Sequence, residues 1–64
     1  MSLDLKPQSQ SLGRILIVED DREMARFLNE LLGEEGYEVQ VAADSASALE
    51  LHKQLNFDLT ITDL

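Results

Sequence analysis

The sequence predicts an α/β fold in which three strands and two helices alternate along the chain to build a parallel sheet. Three observations predict it. Short runs rich in β-branched and apolar residues recur at 14–18, 37–41 and 57–62. Between them lie two stretches whose apolar residues return every three or four positions, the period of a helix buried along one side. Acids able to accept backbone N–H groups open both helical stretches, Asp21 before the first and Asp44 before the second. Strands alternating with helices in this order are joined by right-handed crossovers, which makes the sheet parallel.

Residues 1–13, MSLDLKPQSQSLG, are polar, hold the only proline and show no period. They are expected to form a flexible tail ahead of a single domain at 14–64. Arg14-Ile15-Leu16-Ile17-Val18 is a continuous apolar run closed abruptly by Glu19-Asp20-Asp21. A run of this kind suits a central strand buried on both faces. From Arg22 the period changes, and Met24, Phe27, Leu28, Leu31 and Leu32 predict a helix over 22–35 with Phe27 as a packing residue. Glu23 suits its positive end, and Gly33 and Gly36 suit its termination.

Tyr37-Glu38-Val39-Gln40-Val41 alternates apolar and polar, which predicts a strand with a solvated face or an exposed edge. Asp44 or Ser45 caps a second helix over 45–55, with Ala48, Leu49, His52 and Leu55 on one side. Asn56 breaks that pattern. Phe57-Asp58-Leu59-Thr60-Ile61-Thr62 then predicts a third strand with Phe57, Leu59 and Ile61 on one face. Thr60 and Thr62 are explained by β-propensity. His52, the lone histidine, reads as an exposed helix position rather than a catalytic group.

The bulk numbers bound what such a chain can do. Its 64 residues are 44% hydrophobic and 28% charged, a globular composition for one domain at most. There is no cysteine, so neither a disulfide nor a thiolate metal site exists. Thirteen acids against five Lys and Arg give a formal net charge of -8, which leaves no basic footprint for nucleic acid. No apolar run approaches the roughly 20 residues of a membrane span, and a cytoplasmic protein is the default expectation.

In open α/β sheets, sites form at the carboxyl ends of strands. Glu19 and Asp20 end the first strand and Asp63 ends the third, and if those strands are neighbours the carboxylates share one pocket. Packed carboxylates repel, and a divalent cation relieves the repulsion. Hard oxygen donors suit Mg²⁺, which takes one or two carboxylates and keeps several waters. An aspartate beside such an ion can act as a nucleophile and form an acyl phosphate. The bland alternative is a set of independent acids, with Asp20 and Asp21 capping the helix and Asp63 opening a turn.

The block ILIVEDD at 15–21 resembles the opening of bacterial two-component response-regulator receiver domains. FDLTITDL at 57–64 resembles the segment around their phosphoacceptor, and ADSASALEL at 43–51 the segment between. The separation of 43 positions between Asp20 and Asp63 is typical of the family. The resemblance implies a flavodoxin-like, doubly wound sheet of which this chain is the βαβαβ portion, with strand order 2-1-3. It implies that Asp63 is the phosphoacceptor, that Asp20 binds Mg²⁺ directly and that Glu19 acts on the ion through water, while Asp21 caps the helix. It implies a sensor histidine kinase as partner, with an output domain or downstream protein in the parent. Met24 lies near where a kinase docks in this family.

The family's Ser/Thr after the fourth strand, its Lys after the fifth and the metal-binding carbonyl two residues past the acceptor all fall beyond Leu64. The 64-residue chain is therefore expected to be inactive by itself, its parent competent, and the chain self-associating through an exposed third-strand edge or bare sheet faces. A second reading is a non-enzymatic interaction module. A third, a nucleotide-binding half of a Rossmann-like sheet, is disfavoured because the first strand–helix turn is acidic rather than glycine-rich.

Overall fold

The computed structural model describes residues 12–62; residues 1–11 of the expected tail, together with Asp63 and Leu64, lie outside the described residues. Five elements follow one another: β1 Arg14–Val18, α1 Arg22–Glu34, β2 Glu38–Ala42, α2 Ser45–Gln54 and β3 Leu59–Thr62. The sheet has the order β2-β1-β3, and both pairings are parallel. This is a partial flavodoxin-like α/β arrangement, with the class, element order and strand order expected.

The chain steps from β1 outward to β2 and then back across β1 to β3. With right-handed crossovers, these opposite steps put α1 and α2 on opposite faces of the sheet. Two thin apolar layers result. On the α2 side Leu16, Ala42 and Ala48 are buried, with Val18, Leu51 and Phe57 packed against them. Ile15 and Ile17 alternate with Leu16 and so point to the other face, where Ala25 of α1 is buried. β1 is covered on both faces, Leu16 and Ile17 completely.

Local chemistry explains the helix limits. The Asp21 carboxylate accepts the N–H groups of Glu23 at 3.0 Å and Met24 at 3.3 Å, which satisfies donors that the first turn leaves free. At the far end the Gly36 N–H donates to the Gly33 carbonyl and the Tyr37 N–H to the Leu32 carbonyl. That closure needs a left-handed residue, and Gly36 supplies it at φ +108°. The Asp44 carboxylate caps α2 by accepting the Ser47 N–H at 2.8 Å.

Three departures from the expected elements have physical causes. β2 starts at Glu38 and runs to Ala42, because the Glu38 N–H is already tied to the Gly13 carbonyl at 2.9 Å. β3 starts at Leu59, so Phe57 precedes the strand and escapes its alternation. Phe57 packs on the α2-side layer, edge-on to His52 at 5.2 Å between ring centroids, whereas Leu59 is level with Ile15 on the other face. α1 rests on β1 and β2 but its apolar arc is wider than that surface. Its flank, Met24, Phe27 and Leu31, is left exposed, and Phe27 at 59% is not the packing residue its spacing suggested.

Arg14 ties the amino ends of all three strands. Its N–H donates to Asp58 Oδ2 at 2.8 Å, and its carbonyl accepts the Asp58 N–H at 2.8 Å. Its guanidinium reaches the Asn56 carbonyl and pairs with Glu38 at 3.2 Å. Glu19, Asp20 and Asp21 follow the opposite, carboxyl end of β1.

Candidate functional site

β1 and β3 are neighbours, with Val18 level with Thr62 at their carboxyl ends. The β1 ladder runs one residue further, since the Glu19 N–H donates to the Ala42 carbonyl at 2.9 Å. Glu19 is therefore fixed at the tip of the central strand, and Asp20 follows it into solvent. Asp63, the residue after Thr62 in the sequence, lies outside the described residues.

The acids after β1 differ in what they hold. Asp21 is committed to the α1 cap. Glu19 folds back, and its Oε2 accepts the Asp21 N–H at 3.1 Å. Among the described residues, no hydrogen bond or ion pair engages the Asp20 carboxylate. Asp20 is thus the acid left with both oxygens available.

An open cleft of about 380 Å³ adjoins these acids, between the β3 face and the start of α2. Glu19, Asp20 and Val18 line one wall, Ala43, Asp44, Ser45 and Ala48 another, and Thr60 and Thr62 the floor. Asp44 adds a third carboxylate to the rim. Hydrogen bonds from the Ser47 backbone, then from the Ser47 side chain, hold its carboxyl below the usual carboxylate range against a small opposing effect of desolvation. Among the described residues no basic side chain lines the cleft.

Among the described residues no three acids or histidines converge as a ready-made metal cluster. The donor chemistry nevertheless fits Mg²⁺, which needs only one or two carboxylates and completes its shell with water. The exposed Asp20 carboxylate, without a partner among the described residues, is a donor of the kind such an ion takes. Among the described residues no helix is long and apolar enough to cross a membrane.

Glu19 and Asp20 stand at this end as the sequence predicts. Asp44 and Ser45, expected as a helix cap, and Thr60 and Thr62, explained by β-propensity, also line the cleft. The signal was present in the alternation of 59–62, which sends both threonines to the face opposite Leu59 and Ile61. His52 meets Thr60, Nε2 to Oγ1 at 3.3 Å, on the exposed surface below the acids.

Comparison with known proteins gives a consistent result. The family model described as response regulator receiver domain matches residues 15–64. The chain is 49% identical over 59 residues to the sensor histidine kinase TmoS of Ectopseudomonas mendocina, a match spanning 91% of this chain and 6% of that protein. It is 43% identical over 53 residues to the transcriptional regulatory protein CpxR of Escherichia coli K12, spanning 83% of this chain and 22% of CpxR. It is 43% identical over 51 residues to the response regulator receiver protein CpdR of Brucella abortus, spanning 80% of this chain and 42% of CpdR. The chain thus spans less than half of each of these relatives. No solved structure gives a significant match.

Proposed function

The chain belongs to the response regulator receiver domain family of two-component systems, and from that premise we propose that Asp63 accepts a phosphoryl group from a phosphohistidine of a sensor histidine kinase. A carboxylate oxygen of Asp63 attacks phosphorus, the phosphorus–nitrogen bond of the donor breaks, and the donor histidine, protonated on its other ring nitrogen, leaves as neutral imidazole. The product is an acyl phosphate. Asp20 and Asp63 are the carboxylates that would hold Mg²⁺, which when bound would neutralise the phosphoryl oxygens during transfer.

The observation that carries this reading is the adjacency of β1 and β3. Val18 and Thr62 are level at neighbouring strand ends, and Asp20 and Asp63 follow them in the sequence by two residues and one. An Asp20 carboxylate with no partner among the described residues supports the metal role. The exposed Met24 and Phe27 on the first turns of α1, beside the acids, offer the apolar contact that a docking kinase needs. The acidic balance argues against direct nucleic-acid binding by this segment, and a cytoplasmic location accords with a kinase partner there. Relatives named as a sensor kinase, a transcriptional regulator and a receiver protein share the segment, so the output belongs to the parent.

The test is a nuclear magnetic resonance titration of the full-length protein with beryllofluoride and Mg²⁺. Wild type shows saturable shifts at the carboxyl ends of β1 and β3, and Asp63→Asn shows none. Equal shifts in the variant would remove Asp63 from the acceptor role.

A second reading has its own observation. Leu49, Phe27 and Leu59 are each more than half exposed, on α2, α1 and β3. Apolar surface spread over both faces favours an interaction module that self-associates when the 64-residue chain stands alone. Sedimentation of that chain as a concentration-independent monomer would exclude this.

A further inference from the structure

We propose that Leu12 and Gly13 form a strap that fastens the α1–β2 turn and so couples the chain ahead of β1 to the far end of α1, whatever chemistry the acids perform. The two residues are bonded before the strand begins. The Leu12 N–H donates to the Gly36 carbonyl at 3.1 Å, and the Gly13 carbonyl accepts the Glu38 N–H at 2.9 Å. Gly36 is the left-handed residue of the α1 closure, and Glu38 is the first residue of β2. Tyr37 lies between them, and its own N–H closes the helix on the Leu32 carbonyl at 3.2 Å. Leu12 is the one large apolar residue in the run Gln8-Ser9-Gln10-Ser11-Leu12-Gly13. Its side chain lies against Gly36, where an added Cβ would meet Leu12 Cδ1 at 3.4 Å.

Gly13 fixes where the strap lies. An added Cβ there would fall 3.0 Å from Asp58 Oδ2, and that oxygen holds the Arg14 N–H at 2.8 Å. The inner end is thereby held from the β3 side, while the outer end reaches the α1–β2 turn. Opening that outer end costs little. Leu12 is 69% exposed and is not part of the buried core, so its release uncovers no core residue. Segments with few buried contacts open locally while the rest of a domain stays folded. When Leu12 lets go, the Gly36 carbonyl loses its partner and the turn loses its apolar cover. The bonds next in line are those that close α1, from the Gly36 N–H to Gly33 and from the Tyr37 N–H to Leu32. Anything that draws the preceding chain away from the sheet therefore loosens the end of α1, and anything that holds it there firms that end.

Amide hydrogen exchange, followed by nuclear magnetic resonance on the full-length protein, tests the strap. Leu12→Pro removes the donor to Gly36. The Gly36 and Tyr37 amides should then exchange faster by about threefold or more, the range that losing one net hydrogen bond allows. The Ser47 and Ala48 amides, both held by Asp44 at the start of the other helix, should exchange as in wild type. Leu12→Ala keeps the donor and removes the cover, and it should move Gly36 and Tyr37 in the same direction but less far. Should Leu12→Pro fail to fold, Leu12→Ala decides alone through the same two amides. Gly36 and Tyr37 exchanging at the wild-type rate in the folded variants would overturn the proposal. A rise shared equally by Ser47 and Ala48 would overturn it too, since Leu12 would then act on the whole fold and not on one turn.

Discussion

At Asp21 one carboxylate oxygen receives two backbone N–H groups, and the start of α1 depends on it. Asp21→Ala in the full-length protein should cost about 1 kcal/mol of stability, read by urea denaturation. Gly36 and Gly13 are constrained for different reasons. Gly36 sits at φ +108°, where any side chain is strained. At Gly13 an added Cβ would lie 3.0 Å from Asp58 Oδ2, the atom that holds the Arg14 N–H. Gly36→Ala should therefore lower stability by about 1 kcal/mol or more through backbone strain. Unfolding midpoints unchanged from wild type in both Asp21→Ala and Gly36→Ala would contradict these assignments. Both residues were legible from sequence, Asp21 by its place before an apolar-periodic stretch and Gly36 by its place after one. The fold-back of Glu19 was not, because nothing in a run of acids says which of them turns inward.

The elements differ in how firmly their neighbours hold them. β1 is the strand on which everything else rests, and Leu16 is its fully buried member on the α2 side. Leu16→Ala should cost about 3 kcal/mol, again by urea denaturation, through lost transfer energy and a cavity in a layer too thin to collapse well. α2 depends on its cap. The Asp44 carboxyl has a folded-state value below its unfolded one, so its contribution is fully present above the ordinary carboxylate pKa of about 4 and is lost as pH falls through the lowered value. Circular dichroism through that acid range should show helix lost at higher pH in Asp44→Ser than in wild type, since serine caps without a titrating charge and forfeits that contribution. β1 and both helices could be read from periodicity because burial imposes it. The start of β3 could not, since Phe57 is apolar like Leu59 but is drawn to α2 before pairing begins at Leu59. The exposed flank of α1 was misread for a related reason: spacing reveals which residues share a side, not how much of that side a neighbour covers.

In the whole molecule, three strands bring the end of β1 beside the end of β3 and leave apolar surface on both helices and on β3. The first property is the basis of the proposed chemistry. The second predicts that the 64-residue chain sediments as concentration-dependent oligomers. The central claim is that Asp63 is the phosphoacceptor of a Mg²⁺-dependent site, and intact-mass spectrometry of the full-length protein after incubation with acetyl phosphate tests it most directly. The account predicts the mass of one added phosphoryl group when Mg²⁺ is present, no addition when EDTA is present throughout the incubation, removal of the group by hydroxylamine as expected of an acyl phosphate, and no addition to Asp63→Asn. A phosphoryl group gained equally by Asp63→Asn, or by wild type in EDTA, would contradict it.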